Sequence, residues 1–201
     1  MPDYSLEEAY GNEGFRFICG VDEAGRGPLS GPVVAAACIL PFGLSIEGLN
    51  DSKKLSAKKR EALFDTICEK AVAYAIASAS AQEIDEINIL NATMLAMNRA
   101  VSSLSVSADL ALIDGNVSRG FSIPTVTVVK GDSISASIAA ASILAKVTRD
   151  RICMEDDKRY PEYQFAKHKG YSTALHMQIL REKGPCPVHR RSFLKFLNDD
   201  L

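Results

Sequence analysis

Residues 19–37 read CGVDEAGRGPLSGPVVAAA, and the fold turns on how this stretch is divided. An apolar run delivers the chain to two adjacent acids, Asp22 and Glu23, and then to backbone stripped of side chains at Gly25-Arg26-Gly27. Upstream, RFICGVDEAG (16–25) has the pattern of a strand ending at a glycine-rich turn. Downstream, GPVVAAACIL (31–40) reads as a second strand, closed off by Pro41 and Gly43. Neighbouring residues on an ideal strand point to opposite faces. Asp22 and Glu23 therefore share a site only where the strand ends or bends, which the following glycine permits.

Outward from this hairpin-like pair, Ser56 can cap a helix over about Ala57–Ala71 that turns Leu63, Phe64 and Ile67 inward. AVAYAIASAS (71–80) alternates as a third strand. From Ile84 the apolar positions 84, 87, 90, 94, 97, 101 and 104 step by three and four, the signature of a long amphipathic helix. ADLALIDG (108–115) and PTVTVV (124–129) read as two further strands, the second running into Lys130-Gly131-Asp132. An Ala- and Ser-rich helix follows from about Ser133 to Asp157, and the remainder is interrupted by Pro and Gly into short helices. This order describes an α/β fold, a mixed five-stranded sheet flanked by helices, with a helical crossover making the fourth strand parallel to an earlier one.

Composition agrees with a globular chain: of 201 residues, 47% are hydrophobic and 24% charged. The five cysteines form no CxxC pair, and their odd number argues for reduced thiols; Cys186 and His189 make one C-x-x-H pair with no second to complete a zinc site. The acidic N-terminus lacks the regions of a signal peptide, and the longest apolar run, VVAAACIL, is too short to span a bilayer, so a cytoplasmic location is expected. Net charge is −2, but residues 1–145 hold 11 basic and 17 acidic side chains against 12 and 8 in residues 146–201. The basic last quarter suits either a polyanion partner or simple solvation of helices.

Three strands each end at an acid: the first at Asp22-Glu23, the fourth at Asp114, the fifth just before Asp132. Parallel strands bring their carboxyl ends to one sheet edge, where α/β proteins place ligand sites. Taken singly, Asp114-Gly115 is an ordinary turn and Asp132 a cap for the Ser133 helix. Taken together, the four acids form a cluster that must bind cations or raise its pKa values. An all-oxygen donor set suits Mg²⁺ or Mn²⁺, and two such ions about 4 Å apart would serve phosphodiester hydrolysis. The rival readings fit less well. The spacing of Gly25, Gly27 and Gly31 misses the dinucleotide fingerprint, and a glycosidase needs two acids rather than four.

The segments GVDEAGRGPLSGPVVAAA, LNDSKKLS, IDGN, KGDSISASIAAASILAKVTRDR and HKGYSTALH, in this order, resemble bacterial ribonuclease HII, the type 2 ribonuclease H family. The resemblance runs from about Ile18 to Phe193. It implies a ribonuclease H-like core over residues 15–157 with a C-terminal helical extension over 158–201. It implies a monomeric endoribonuclease that cleaves the RNA strand of RNA–DNA hybrids and nicks duplex DNA at embedded ribonucleotides, in ribonucleotide and primer removal. Two Mg²⁺ or Mn²⁺ ions would be held by Asp22, Glu23, Asp114 and Asp132, leaving 5′-phosphate and 3′-hydroxyl ends. The backbone of Gly25, Arg26 and Gly27 would contact the 2′-hydroxyl, with Arg26 by the phosphates, and Tyr171 would stack on the following deoxyribose. Lys53, Asn88, Lys146 and Arg149 would meet phosphates, within a basic footprint extending over Lys158–Lys169. His168, His176 and His189 are expected at the surface or in packing. Two other classes remain: a nucleic-acid-binding module without catalysis, and an enzyme of small nucleotides. The closing FLKFLNDDL is either a docking tail or a helix end.

Overall fold

In the computed structural model, which describes residues 1–197, five strands form one sheet. β1 (Ile18–Ala24) pairs antiparallel with β2 (Val33–Ile39), which pairs antiparallel with β3 (Ala73–Ala79). On the other side β4 (Leu110–Asp114) runs parallel to β1, and β5 (Thr125–Val128) parallel to β4. The order β3-β2-β1-β4-β5 therefore sets the carboxyl ends of β1, β4 and β5 side by side. β1 and β2 are apolar on both faces because both faces are covered. Cys19, Val21, Ala35 and Ala37 pack toward α3 (Ala81–Ser102), while Ala36 and Cys38 pack toward α2 (Ala57–Lys70) and α4 (Ala136–Arg159).

The small residues of this sequence allow close layers. A Cβ on Gly20 would fall 2.1 Å from Ile138 N, so the start of α4 rides directly on the backbone of β1. Ala139, Ala140, Ala141 and Ala145 extend that close contact along the helix. α1 (Ser5–Asn12) lies ahead of the expected core boundary at residue 15, yet it is tied to the core by the buried Glu7. One Glu7 carboxylate oxygen accepts bonds from Ser135 Oγ (2.6 Å), Ser137 N (3.0 Å) and Ser137 Oγ (2.5 Å). A negative charge is thereby held at the N-terminus of α4, where the helix dipole favours it.

Two helices differ from expectation. The long helix expected from Ile84 is broken: Asn88 lies inside α3 with φ 66° and ψ 165°, dividing the helix into two segments. Its Oδ1 accepts from Leu90 N and Asn91 N at 3.0 and 3.1 Å, capping the second segment. The apolar steps of three and four continue across the kink because a cap restarts the helix without removing a buried side chain, so periodicity alone hides it. α4 starts at Ala136, with Ser135 accepting from Ile138 N as its cap. Asp132 belongs to a separate 3-10 turn over Gly131–Ser133, which frees its carboxylate from capping duty.

After α4 the chain forms α5 (Phe165–His168), α6 (Ala174–Lys183) and 3-10 turns, with a small core of Tyr163, Phe165, Ile179, Leu180, Cys186 and Leu194 that also takes in Leu29. Backbone bonds strap this extension to the turn after β1: Leu29 N to Gly170 O (2.8 Å), Gly31 N to Val188 O (2.8 Å) and Arg190 N to Leu29 O (2.9 Å). The histidines are buried rather than superficial. His168 and His176 stack at 4.0 Å, and His176 Nε2 meets His189 Nε2 at 3.0 Å. Cys186 N–H donates to His189 Nδ1, so the bonding fits a His189 Nε2–H donor and a His176 Nδ1–H donor to Tyr171 O. All five cysteines are free thiols. Of the FLKFLNDDL segment, residues 198–201 lie outside the described residues.

Candidate active site

The pairing of β1 with β4 stops at Val21–Ile113, while its pairing with β2 continues to Ala24–Val34. Asp22 thus stands level with Asp114, the last residue of β4, and Glu23 lies one residue beyond it. Asp22 is buried, and its Oδ1 accepts the N–H of Glu23 at 2.7 Å. Asp114 closes β4, its Oδ1 accepting Gly131 N–H at 2.7 Å. That bond holds the 3-10 turn carrying the buried Asp132 against the end of β4.

Electrostatics show that the four acids form one group. Burial, followed by the charges of Glu23 and Asp114, pushes the Asp22 carboxyl well above its ordinary range. Burial also raises Glu23, against the lowering influence of Arg26, and Asp114 adds to the rise. Asp132 is raised by burial and by the charges of Asp51 and Asp114. Desolvation pulls the Lys53 ammonium down, but the charges of Asp22, Asp132, Asp51 and Asp114 outweigh it and the group is raised. Asp51 is thus a fifth acid beside the cluster, which the sequence reading passed over. Its position two residues before Lys53 was the available signal.

The cations nearest to these acids are weak partners. Arg26 Nη1 lies 3.4 Å from Glu23 Oε1 and Lys53 Nζ 3.8 Å from Asp132 Oδ2, with side chains 50% and 77% exposed. Pairs this exposed contribute little against the desolvation of buried carboxylates. Among the described residues no three acidic, His or Cys side chains already converge on a metal-holding point. Asp22 and Asp114 each face a backbone N–H, and Glu23 and Asp132 each face a side-chain cation. The donor set is nonetheless all oxygen, mutually repelling and short of positive charge, which fits a hard divalent cation.

Beside the acids, Gly25 has φ +99° and opens the turn. A Cβ on Gly27 would meet only Tyr171 Cε1, at 3.8 Å, so the bare backbone of the turn lies against the half-exposed Tyr171 ring. The structure corrects the expectation for Arg149. It is 1% exposed, donating to Ser30 O (3.2 Å) and Lys169 O (3.1 Å), with its guanidinium packed beneath Gly25. It braces the turn from inside, where no phosphate reaches. Lys146 points elsewhere, bonded to Asp150 at 2.6 Å beside Arg60 of α2, so the two residues do not face one backbone.

Comparisons with known proteins place the chain in a family. The profile of the family described as Ribonuclease HII matches residues 19–196. This chain belongs to the ribonuclease HII family. Ribonuclease HII of Ruminiclostridium cellulolyticum is 56% identical over 191 residues, covering 95% of this chain and 75% of that protein. Ribonuclease HII of Burkholderia ambifaria is 60% identical over 176 residues, covering 88% and 81%. Among solved structures, ribonuclease H2 from Pyrococcus horikoshii superposes with a TM-score of 0.75 at 26% identity, over 92% of this chain and 98% of that one. As a ribonuclease HII the protein is a ribonuclease H enzyme, a nuclease of the RNA strand in RNA–DNA hybrids. Its ribonuclease H-like fold is the mixed sheet described above. Among the described residues no helix is long and apolar enough to cross a membrane.

Proposed function

We propose that this ribonuclease HII also nicks duplex DNA at single embedded ribonucleotides, with Asp22, Glu23, Asp114 and Asp132 holding two divalent cations, and leaves 5′-phosphate and 3′-hydroxyl ends. The observation that carries this reading is a juxtaposition. Four acids, three at the ends of β1 and β4 and one on the 3-10 turn after β5, stand beside a turn whose bare backbone lies against a half-exposed tyrosine ring. Bound there, Mg²⁺ or Mn²⁺ supplies Lewis acidity, activating water and stabilising the leaving oxygen.

The chain's own residues supply selection. The turn Gly25-Arg26-Gly27 senses the 2′-hydroxyl, the group that distinguishes RNA from DNA. Tyr171 stacks on the sugar that follows, which orients the junction. Arg26 and Lys53, on long exposed side chains over the acids, exchange their carboxylate partners for substrate phosphates. Asn88, whose Oδ1 caps the second segment of α3, contacts phosphate through its amide Nδ2–H groups. The active species is proposed to be a monomer, with residues 158–201 as an extension of the catalytic core over 15–157.

The test is a gel assay on a DNA duplex carrying one ribonucleotide, with and without Mg²⁺ or Mn²⁺. A metal-dependent nick at the ribonucleotide is expected. Cleavage of continuous hybrids with no nick at a single ribonucleotide would refute the proposal.

A further inference from the structure

Arg190 lies outside every motif that the chemistry above uses, yet it is 0% exposed and its guanidinium is directed at the turn after β1. Nη2 donates to Gly25 O (2.6 Å), Nη1 to Arg26 O (2.9 Å) and Pro28 O (2.7 Å), and Nε to Gly31 O (2.9 Å). Its own backbone N–H takes Leu29 O, and Arg149 takes Ser30 O. Of the carbonyls from 25 to 31, only that of Gly27 has no partner among the described residues.

From these bonds we infer that Arg190 is the positioning residue that builds the ribose sensor, an inference that rests on the reading of Gly25-Arg26-Gly27 given above. In a planar trans peptide the C=O of one residue and the N–H of the next point in opposite directions. Holding Gly25 O and Arg26 O inward therefore turns the N–H groups of Arg26 and Gly27 outward. Neither N–H has an acceptor among the described residues. Residue 28 is proline, so the Gly27–Pro28 peptide has no N–H, and its carbonyl is the one that neither arginine takes. The turn thus offers two donors and one acceptor in consecutive peptides. This matches a hydroxyl, which donates once and accepts through its lone pairs.

Arg190 is itself fixed from the far side of the sheet. Asp85 of α3 accepts from Arg191 N (2.8 Å) and Ser192 N (2.9 Å), anchoring the segment that delivers the guanidinium. Burial, with the charge of Arg149 beside it, pushes the Arg190 guanidinium below its ordinary value. The four carbonyl dipoles keep so strong a base protonated. A lysine here would reach at most a few of these acceptors and could not span them as a planar fork.

The experiment compares wild type with Arg190→Lys, in EDTA to prevent cleavage, on two DNA duplexes identical except for one 2′-hydroxyl. Wild type should prefer the ribonucleotide duplex. In Arg190→Lys that preference should contract about tenfold, as expected for losing one to two neutral hydrogen bonds, while affinity for the all-DNA duplex holds. A purely structural arginine would lower both affinities together with the folded fraction and leave their ratio intact; that result overturns the inference alone. A wild type without preference overturns the sensor reading and this inference with it. Should the variant fail to fold, ¹⁵N spectra of wild type decide. The Arg26 and Gly27 amides should shift on adding the ribonucleotide duplex and not the all-DNA duplex, while Arg190 Nε–H stays protected from exchange. Amides that respond alike to both duplexes, or an unprotected Nε–H, overturn it.

Discussion

Gly25 and Gly27 stand two residues apart in one turn, yet alanine should have opposite effects at the two positions. At Gly25 φ is +99°, and a Cβ would lie 2.1 Å from Arg149 Nε, 2.4 Å from its Cδ and 3.0 Å from Pro32 O. The left-handed backbone costs an L residue about 1–2 kcal/mol. Displacing a guanidinium pinned by two carbonyls adds an overpacking cost of about 1–3 kcal/mol. Gly25→Ala should therefore lose about 3 kcal/mol, a fall in Tm of about 10 °C for a domain of this size. At Gly27 the added Cβ makes one ordinary contact, 3.8 Å from Tyr171 Cε1, and the backbone is not left-handed. Stability there should stay within about 0.5 kcal/mol of wild type. The new methyl stands where a ribose must approach, so nicking at a single ribonucleotide should fall about a hundredfold, the effect of an ångström's misplacement. Thermal melts and gel nicking assays run on both variants test the pair. Equal melting shifts, or a Gly27→Ala protein that nicks normally, would show that the turn has been misread.

Asp22→Asn removes a buried charge from a repelling cluster, so in EDTA the variant should melt about 2–4 °C above wild type, the equivalent of about 1 kcal/mol, while nicking is lost; a lower Tm or surviving cleavage contradicts the site. Tyr171→Ala should leave all-DNA affinity in place and weaken cleavage at RNA-to-DNA junctions, because the half-exposed ring is free to stack; equal losses on every substrate count against stacking. Acid should destabilise the C-terminal extension. Burial pushes His176 and His189 each down to about 4, so as pH falls below about 6.5 the unfolded chain binds protons that the folded one refuses. At pH 5 this costs up to about 2 kcal/mol for each histidine. The carboxylate cluster, with raised values, works in the opposite direction, so urea midpoints at pH 7.5 and 5 should be compared between wild type and a His176→Asn/His189→Asn variant. The pH dependence assigned to the pair should vanish in the variant, and an unchanged slope refutes it.

Much of this site was legible because its chemistry lies close together along the chain. Asp22-Glu23 and the Gly-Arg-Gly turn are sequence neighbours, and Asp114 and Asp132 each follow an apolar run whose alternation marks a strand end. The crossover rule made the fourth strand parallel to an earlier one, enough to expect the acids on one edge, but that β1 is its neighbour is seen only in the sheet itself. What escaped was held by partners without a sequence signature. Arg149 and Arg190 bind backbone carbonyls, and any residue supplies a carbonyl; nothing in HRRSF says that one arginine is buried and the next is not. Helical spacing placed Lys146 and Arg149 one turn apart but did not reveal that Asp150 claims one and the turn after β1 the other. The histidines form a cluster only because three separate segments meet around Phe165.

α4 touches both halves of the apparatus. Ser142, hydrogen-bonded to Ser52 Oγ at 2.8 Å, also reaches Asp22, and Arg149 lies under Gly25. Seven residues of helix separate them, about 10 Å along the axis. The offset between the acids and the turn is thus written into the pitch of a hydrogen-bonded helix and does not depend on how two loops happen to settle. On the proposed reading of the turn, a fixed offset acts as a geometric interlock: a duplex without the 2′-hydroxyl would find no registration mark at Gly25-Arg26-Gly27, and nothing would align its phosphodiester with the acids. The run of alanines that lets α4 lie close on β1 thereby helps to set the distance between the acids and the turn.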